Sequence, residues 1–466
     1  MPTVLLTDTT RWASSARFAI GLAEAGFDVS GVCLRRGHPL RKTRVVKRIF
    51  TYSAIRPLHS LINAIETTSP DLIIPCDDRA VAHLHDLHRH AKGLAASGSR
   101  IASVVERSLG SPQSYATVSA RHEFLMVARN EGLRVPDMAA VRTIDDFDSW
   151  QRNHAFPWVL KADGTFGGRG VRIVTSLEQA RLAFAELNGE FSLARGIKRL
   201  VGYRDPFWVG PWWHNVRPSV LVQAHIQGYP ANCAAVCWKG KVLGEISVDV
   251  MTTSGSTGPA TVVNVIDNRE IAVAAERVAS RLELSGLFGL DFVIDATSGA
   301  AYLIEINPRC TPVCHLQLGK GRDLAGALWA QLSGVACRDE PPVTGNPRIA
   351  YFPGAWLDRN RHLASSFQDV PWGEPDLVEE LLHPWPKRTI LGRVLNYLSS
   401  GSRSDEAEND CTLSESAENR QNRRPGDANN AELARSGWDS RRLGSAGDPA
   451  GTGSPAAGAP GGTTNR

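Results

Sequence analysis

The sequence predicts an α/β protein: a βαβ opening, a mixed α+β body, and a disordered C-terminal tail. Three observations carry that prediction. Thr3 to Thr7, Ala16 to Ala25 and Phe27 to Cys33 pattern as strand, helix and strand, the way open parallel sheets begin. A strand over Trp158 to Leu160 ends at Lys161 and runs into a loop holding Gly164, Gly167, Gly168 and Gly170. Farther on, Gly289 to Arg309, reading GLDFVIDATSGAAYLIEINPR, has two apolar runs around the turn-rich segment Asp295 to Gly299, a β-hairpin pattern.

Size and composition bound the answer. A chain of 466 residues, 42% hydrophobic and 21% charged, can bury two or three cores. A net charge of +4 is too balanced for a nucleic-acid binder, which needs a basic stripe or a strong basic excess. The eight cysteines form no CxxC pair, and no cationic start with a long apolar run precedes Thr3 to Leu6, so a reducing cytoplasm is expected. No apolar stretch approaches the roughly 18 residues of a membrane span, so no integral membrane segment is expected.

In the first domain, Asp71 to Pro75 (DLIIP) reads as a buried strand ending in Cys76, Asp77 and Asp78, ahead of an Ala/His/Leu-rich helix. Such strand ends are where open α/β sheets bind ligands. No GxGxxG follows the first strand, which removes the main support for a dehydrogenase. The basic run from Arg35 to Arg48 reads as a solvated loop or helix face rather than an anion site. His83, His85, His88 and His90 read as structural or surface residues, since only His85 and His88 have one-turn spacing and only Asp86 is near.

Tyr115 to Glu131 is helical in pattern and stops at Gly132, with Pro136 beyond. In the loop after Lys161, glycines let backbone N–H groups approach phosphate oxygens, and Lys161 adds a point charge. It is not a Walker A loop, because the lysine precedes the glycines. Residues 186 to 216 carry the aromatics Phe207, Trp208, Trp212 and Trp213, read as a small satellite core. Ser219 to Ile226 is a strand and linker. Next come a hairpin over Ala234 to Trp238 and Lys241 to Val248, a loop from Thr252 to Gly258, a strand from Ala260 to Ile266 and a helix from Ile271 to Leu284.

The hairpin then carries the chemistry. A period of two puts Glu305 and Asn307 on one face, and a turn near Ser298 places Asp291 opposite Glu305. Two carboxylates with no Lys or Arg between them repel, and an all-oxygen set suits Mg2+ or Mn2+. Beyond it, Cys310 and Cys314 read as ordinary packing, and Gly319 to Gly334 as a loop and helix with Asp323 near the helix start. Asp339 to Ser400 carries no chemical signature but is expected to pack on the catalytic body, with a terminal helix from Thr389 to Leu398. From Gly401 the chain is too poor in large apolar residues to offset its ordering entropy, so the tail is expected to be disordered.

Asp291, Glu305, Asn307 and Arg309 in this order, downstream of Lys161 and its glycines, resemble the metal-binding hairpin of the ATP-grasp superfamily. The resemblance implies a Rossmann-like domain over 1–114, an ATP-grasp N-terminal lobe over 115–226, a C-terminal lobe over 227–338, an extension over 339–400 and a tail over 401–466. It implies an ATP-dependent ligase that joins a small carboxylate to an amine, amino-acid-like in kind, through an acyl phosphate, and it allows a homodimer. Asp291, Glu305 and Asn307 would then hold Mg2+ or Mn2+. Arg121, Lys161, Gly164, Gly167, Gly168, Arg169, Gln223 and Ile226 would hold ATP, with Lys161 and Arg309 catalytic. The chain departs from the family at Arg121, where a Lys is common, and at Gln223 and Pro230, where acids for the ribose are common. Those departures motivate the alternative of an inactive nucleotide-binding sensor or scaffold with the same fold.

Overall fold

Alternation within β1 (Thr3–Thr7) builds the first domain: Val4 and Leu6 enter one core and Leu5 another on the opposite face. The computed structural model describes residues 1–383 except 36, 94–96, 164–169, 189–218, 256–257 and 337–339. β1 pairs in parallel with β2 (Asp28–Cys33) and β4 (Leu72–Pro75), and β3 (Val46–Thr51) lies outside β2, giving the order β3-β2-β1-β4. The chain moves outward from β1 to β3 and then returns to the far side of β1 for β4. That reversal leaves a crevice beyond the carboxyl ends of β1 and β4. Asp77 closes part of it by accepting from the amide and hydroxyl of Thr9 and capping the helix Asp78–His90.

The basic run is corrected in part. Lys47 and Arg48 lie on β3, because Val46, Ile49 and Phe50 between and beside them pack into the cores on either face of the sheet. Exposed charge on an edge strand also discourages pairing with another chain. The histidines take separate structural partners: His83 bonds the Tyr52 hydroxyl at 2.9 Å, His85 stacks on Tyr115, and His88 meets Glu106 at 2.7 Å.

A second, antiparallel sheet has the order β5-β8-β6-β7, from β5 (Met138–Val141), β6 (Trp158–Ala162), β7 (Val171–Val174) and β8 (Val220–Ala224). Trp158, Leu160, Val220 and Val222 bury one face against Phe147 and Phe184. Lys161 and Gln223 therefore stand on the other face, two residues apart across the β6–β8 register. The single helix expected over Tyr115 to Glu131 is two, Tyr115–Ser119 and Arg121–Asn130, broken at an extended Ala120 (φ −112°, ψ 107°). Helical periodicity runs through the break. Packing decides it, since Val118, Phe124, Leu125 and Ala128 all reach one core only if the chain is re-aimed between them.

The third sheet has the order β13-β12-β9-β10-β11-β14-β15. Its strands are β9 (Gly228–Trp238), β10 (Lys241–Thr253), β11 (Ala260–Ile266), β12 (Gly286–Asp295), β13 (Ala301–Asn307), β14 (Arg348–Tyr351) and β15 (Phe367–Asp369). Lys239 and Gly240 join β9 to β10 with φ of 47° and 80°, the positive pair a two-residue hairpin turn requires. Thr252 and Thr253 belong to β10, so the loop read there is shorter than expected. Helices Arg121–Asn130 and Arg269–Arg281 cover one face of the sheet through Ala231, Cys233, Leu290 and Phe292. The other face turns Ala234, Val236, Ile246 and Val248 toward helix Leu324–Ser333 and the Phe18 and Leu22 side chains of the first domain. Helix Leu324–Ser333 starts on an Asp323 cap and ends on a left-handed Gly334.

Residues 348–382 are integral to this body. β14 extends the sheet beyond β11, and Phe352, Val370, Leu377 and Leu381 close over Ala16 of helix Ala13–Ala25. The aromatics from Phe207 to Trp213, the expected helix Thr389 to Leu398 and the tail lie outside the described residues. No helix among the described residues is long and apolar enough to cross a membrane.

Candidate active site

The β12–β13 hairpin is set by its turn. Asp295 accepts from the backbone amides of Thr297 and Ser298 and from the Ser298 hydroxyl, fixing the register that follows. Asp291 pairs with Glu305 and Gly289 with Asn307. On the other side of β12, Asp291 lies opposite Asn232 of β9, on the sheet face turned to the first domain. Glycine at 289 lets the following loop close in: a Cβ there would stand 2.6 Å from the Thr311 methyl group.

Around Asp291 the hydrogen bonds are dense. Asn232 Nδ2 donates to Oδ1 at 2.6 Å and Asn307 Nδ2 to Oδ2 at 3.0 Å. Arg309 donates from Nη2 to Asn307 Oδ1 at 3.0 Å and from Nε to Asp78 Oδ1 at 2.8 Å, reaching the end of β4 in the first domain. Arg121, the first residue of its helix, donates to Glu305 Oε1 at 2.7 Å and makes longer bonds, 3.3 Å each, to Asp163 Oδ1 and the Ala162 carbonyl. Lys161 is 6% exposed. The expectation that no basic residue lies between the carboxylates therefore holds only along the chain. In space, Arg121 balances Glu305.

The electrostatics follow from burial among opposed charges. Asp291 is pushed up by burial and then by Glu305, with the two asparagine amides pulling the other way. Lys161 falls to about 8, from burial first and the Arg121 charge second, with Glu305 and Asp291 opposing. Burial would lower Arg121 and Arg309, but their carboxylate partners outweigh it and both are raised. On β8, Gln223 is 1% exposed and its Nε2 has no hydrogen-bond partner, a buried donor turned to the same sheet face as Lys161. Ile226 follows β8 and is half-buried.

Asp291, Glu305, Asn307, Arg309, Arg121 and Lys161 are thus brought to one place. Gln223 and Ile226 lie on and beyond the neighbouring strand, and no hydrogen bond joins them to that cluster. Gly164, Gly167, Gly168 and Arg169 lie outside the described residues. Asn232, Asp163 and Asp78 join the site through their hydrogen bonds, although no motif in the sequence marks them as site residues. Only Asp78 carried a signal, its place at the end of a buried strand. The donor chemistry fits a hard divalent cation, because a buried carboxylate such as Asp291, whose proton affinity is raised by burial and by a neighbouring carboxylate, is what such an ion relieves. Asn307 needs a half-turn of its amide to offer oxygen, since it now presents nitrogen to Asp291. Among the described residues, no group of three or more His, Cys, Asp or Glu side chains is arranged to hold a metal.

Residues 210–313, which include the whole hairpin, match the family model of the ATP-grasp domain. The chain carries an ATP-grasp domain. Two solved structures share the fold of the chain. One is the biotin carboxylase domain dimer of Hydrogenobacter thermophilus 2-oxoglutarate carboxylase, in complex with MgADP, ADP and bicarbonate. It is 14% identical, covers 73% of this chain and 71% of that one, and gives a TM-score of 0.51. The other is a Campylobacter jejuni biotin carboxylase in complex with βγ-ATP, 14% identical over 72% of each chain, also at 0.51. No curated protein sequence matches. The matched stretch leaves out Arg121 and Lys161, so the ATP-grasp match rests on the hairpin half of the site.

Proposed function

We propose that the chain is an ATP-dependent ligase that joins a small carboxylate to an amine, releasing ADP and phosphate. One observation carries the reading: Asp291 and Glu305 face each other on the hairpin with Arg121, Lys161 and Arg309 gathered about them. Asp291, Glu305 and Asn307 would hold Mg2+ or Mn2+, which when bound supplies charge neutralisation for phosphate oxygens. Lys161, Arg121 and the amides of the Gly164 to Gly170 loop would grip the triphosphate, and Gln223 Nε2 would donate to the nucleotide.

Chemistry then needs no side-chain nucleophile. A substrate carboxylate oxygen attacks the γ-phosphorus, the bond to the β–γ bridging oxygen breaks, and ADP leaves with the electron pair. The amine attacks the resulting acyl carbon, the carbon–oxygen bond to phosphate breaks, and the amine loses its proton to water. Arg309, anchored on Asp78, would steer the carboxylate and then the acyl phosphate. Positioning and charge supply most of the acceleration. The bicarbonate in the Hydrogenobacter structure supports a carboxyl-bearing acceptor.

ADP release measured over a panel of carboxylates, each paired with amines, tests this. Turnover that Glu305→Gln abolishes supports it. Binding of Mg·ATP with no turnover on any pair favours instead a nucleotide-binding sensor, a reading motivated by Arg121 occupying Glu305.

A further inference from the structure

The guanidinium of Arg121 is held unevenly. Its bond to Glu305 is short, at 2.7 Å, its two other bonds are 3.3 Å, and its buried Nε has no acceptor at all. It also bridges two parts of the molecule, with Asp163 at the end of β6 on one side and the hairpin on the other. We infer that Arg121 is an internal counter-ion that closes the metal site to a free cation and yields it only when a nucleotide arrives. This rests on the proposed metal role of Asp291 and Glu305.

A divalent ion on Glu305 and a guanidinium 2.7 Å from the same carboxylate repel each other strongly in a part-buried setting, so the ion must displace Arg121. Once displaced, Arg121 keeps only the 3.3 Å bonds to Asp163 and the Ala162 carbonyl, and a buried cation stripped of its closest anionic partner is unfavourable. A polyphosphate removes the obstacle, offering anionic oxygens to Arg121, including its unpaired Nε, at the moment the metal takes Glu305. Each ligand thus favours the other, and by linkage the coupling is mutual. Lysine here would lack the planar fork that spans Glu305, Asp163 and the Ala162 carbonyl together, so the arginine is not a neutral replacement.

Mn2+ binding followed by electron paramagnetic resonance on the intact chain tests this, with and without a nonhydrolysable ATP analogue and corrected for Mn2+ held by the analogue alone. Wild type should bind Mn2+ weakly by itself and about 5- to 150-fold more tightly with the analogue, the usual span of such a coupling. Arg121→Gln should bind Mn2+ without nucleotide, and adding Glu305→Gln should remove that gain. Wild type taking up Mn2+ alone as tightly as Arg121→Gln overturns the counter-ion while leaving the metal site standing. Failure of wild type to bind Mn2+ even with the analogue overturns both the inference and the metal assignment beneath it. The wild-type arms decide the matter even if Arg121→Gln does not fold.

Discussion

Two buried ionic clusters lie on this fold, and they are built to opposite ends. In one, Asp369 of β15 is 4% exposed and takes Arg17 of the first domain and His315 of the loop after the hairpin, the latter at 2.6 Å. It pins three distant segments, and although burial acts against it, His315 and Arg17 hold Asp369 below the usual carboxylate range. In the other, Asp291 is raised, Lys161 is lowered, Arg121 lacks an acceptor at Nε and Gln223 lacks one at Nε2. Burial alone does not mark a site, because both clusters have it. Unpaired buried donors do not separate them either, since Arg17 Nε and His315 Nδ1 lack partners as Arg121 Nε and Gln223 Nε2 do; what separates them is the sign of the carboxylate shift.

That sign yields the largest expected contrast. Asp369→Asn leaves Arg17 buried without its anion and should cost about 3–5 kcal/mol in denaturant unfolding, while turnover of the folded protein stays near wild type. Asp291→Asn should do the reverse, lowering turnover by about 10²–10³-fold with stability unchanged or improved. Equal destabilisation by both variants would erase the distinction between the clusters.

Acid titration of stability sharpens the same comparison. Asp369, whose folded pKa is depressed, contributes stability above its unfolded value of about 3.9, and that contribution fades as pH falls through the folded value. Asp291, whose folded pKa is raised, costs stability when ionised. That cost is relieved as pH falls through its folded value and is gone below the unfolded one. Unfolding measured against pH in the Asp369→Asn and Asp291→Asn backgrounds should therefore show slope changes of opposite sign.

Smaller effects test the cleft alone. Lys161, poised at about 8, loses its charge as pH rises past that value, so nucleotide affinity should fall by roughly tenfold above it. Lys161→Arg, always charged, should abolish that fall. Gln223→Leu should weaken nucleotide binding by about 1 kcal/mol with no loss of stability, because the donor it removes is unpaired in the nucleotide-free chain. Isothermal titration across pH and variants reads both.

Local rules reached far into this molecule. Strand periodicity and the turn at Asp295 to Gly299 placed Asp291 opposite Glu305, and Asp323 and Gly334 marked the ends of a helix. These features were legible because a side chain's face on a strand and a helix's caps depend on neighbours a few residues away. The break at Ala120, the strand holding Lys47 and Arg48 and the partners of the hairpin were decided only by the tertiary structure. Arg121 meets Glu305 across 184 residues, Arg309 meets Asp78 across 231 and Asn232 meets Asp291 across 59. No periodicity encodes such encounters. They arise when apolar faces packed elsewhere bring charges together, and the cost of leaving buried charge unpaired then selects the partner.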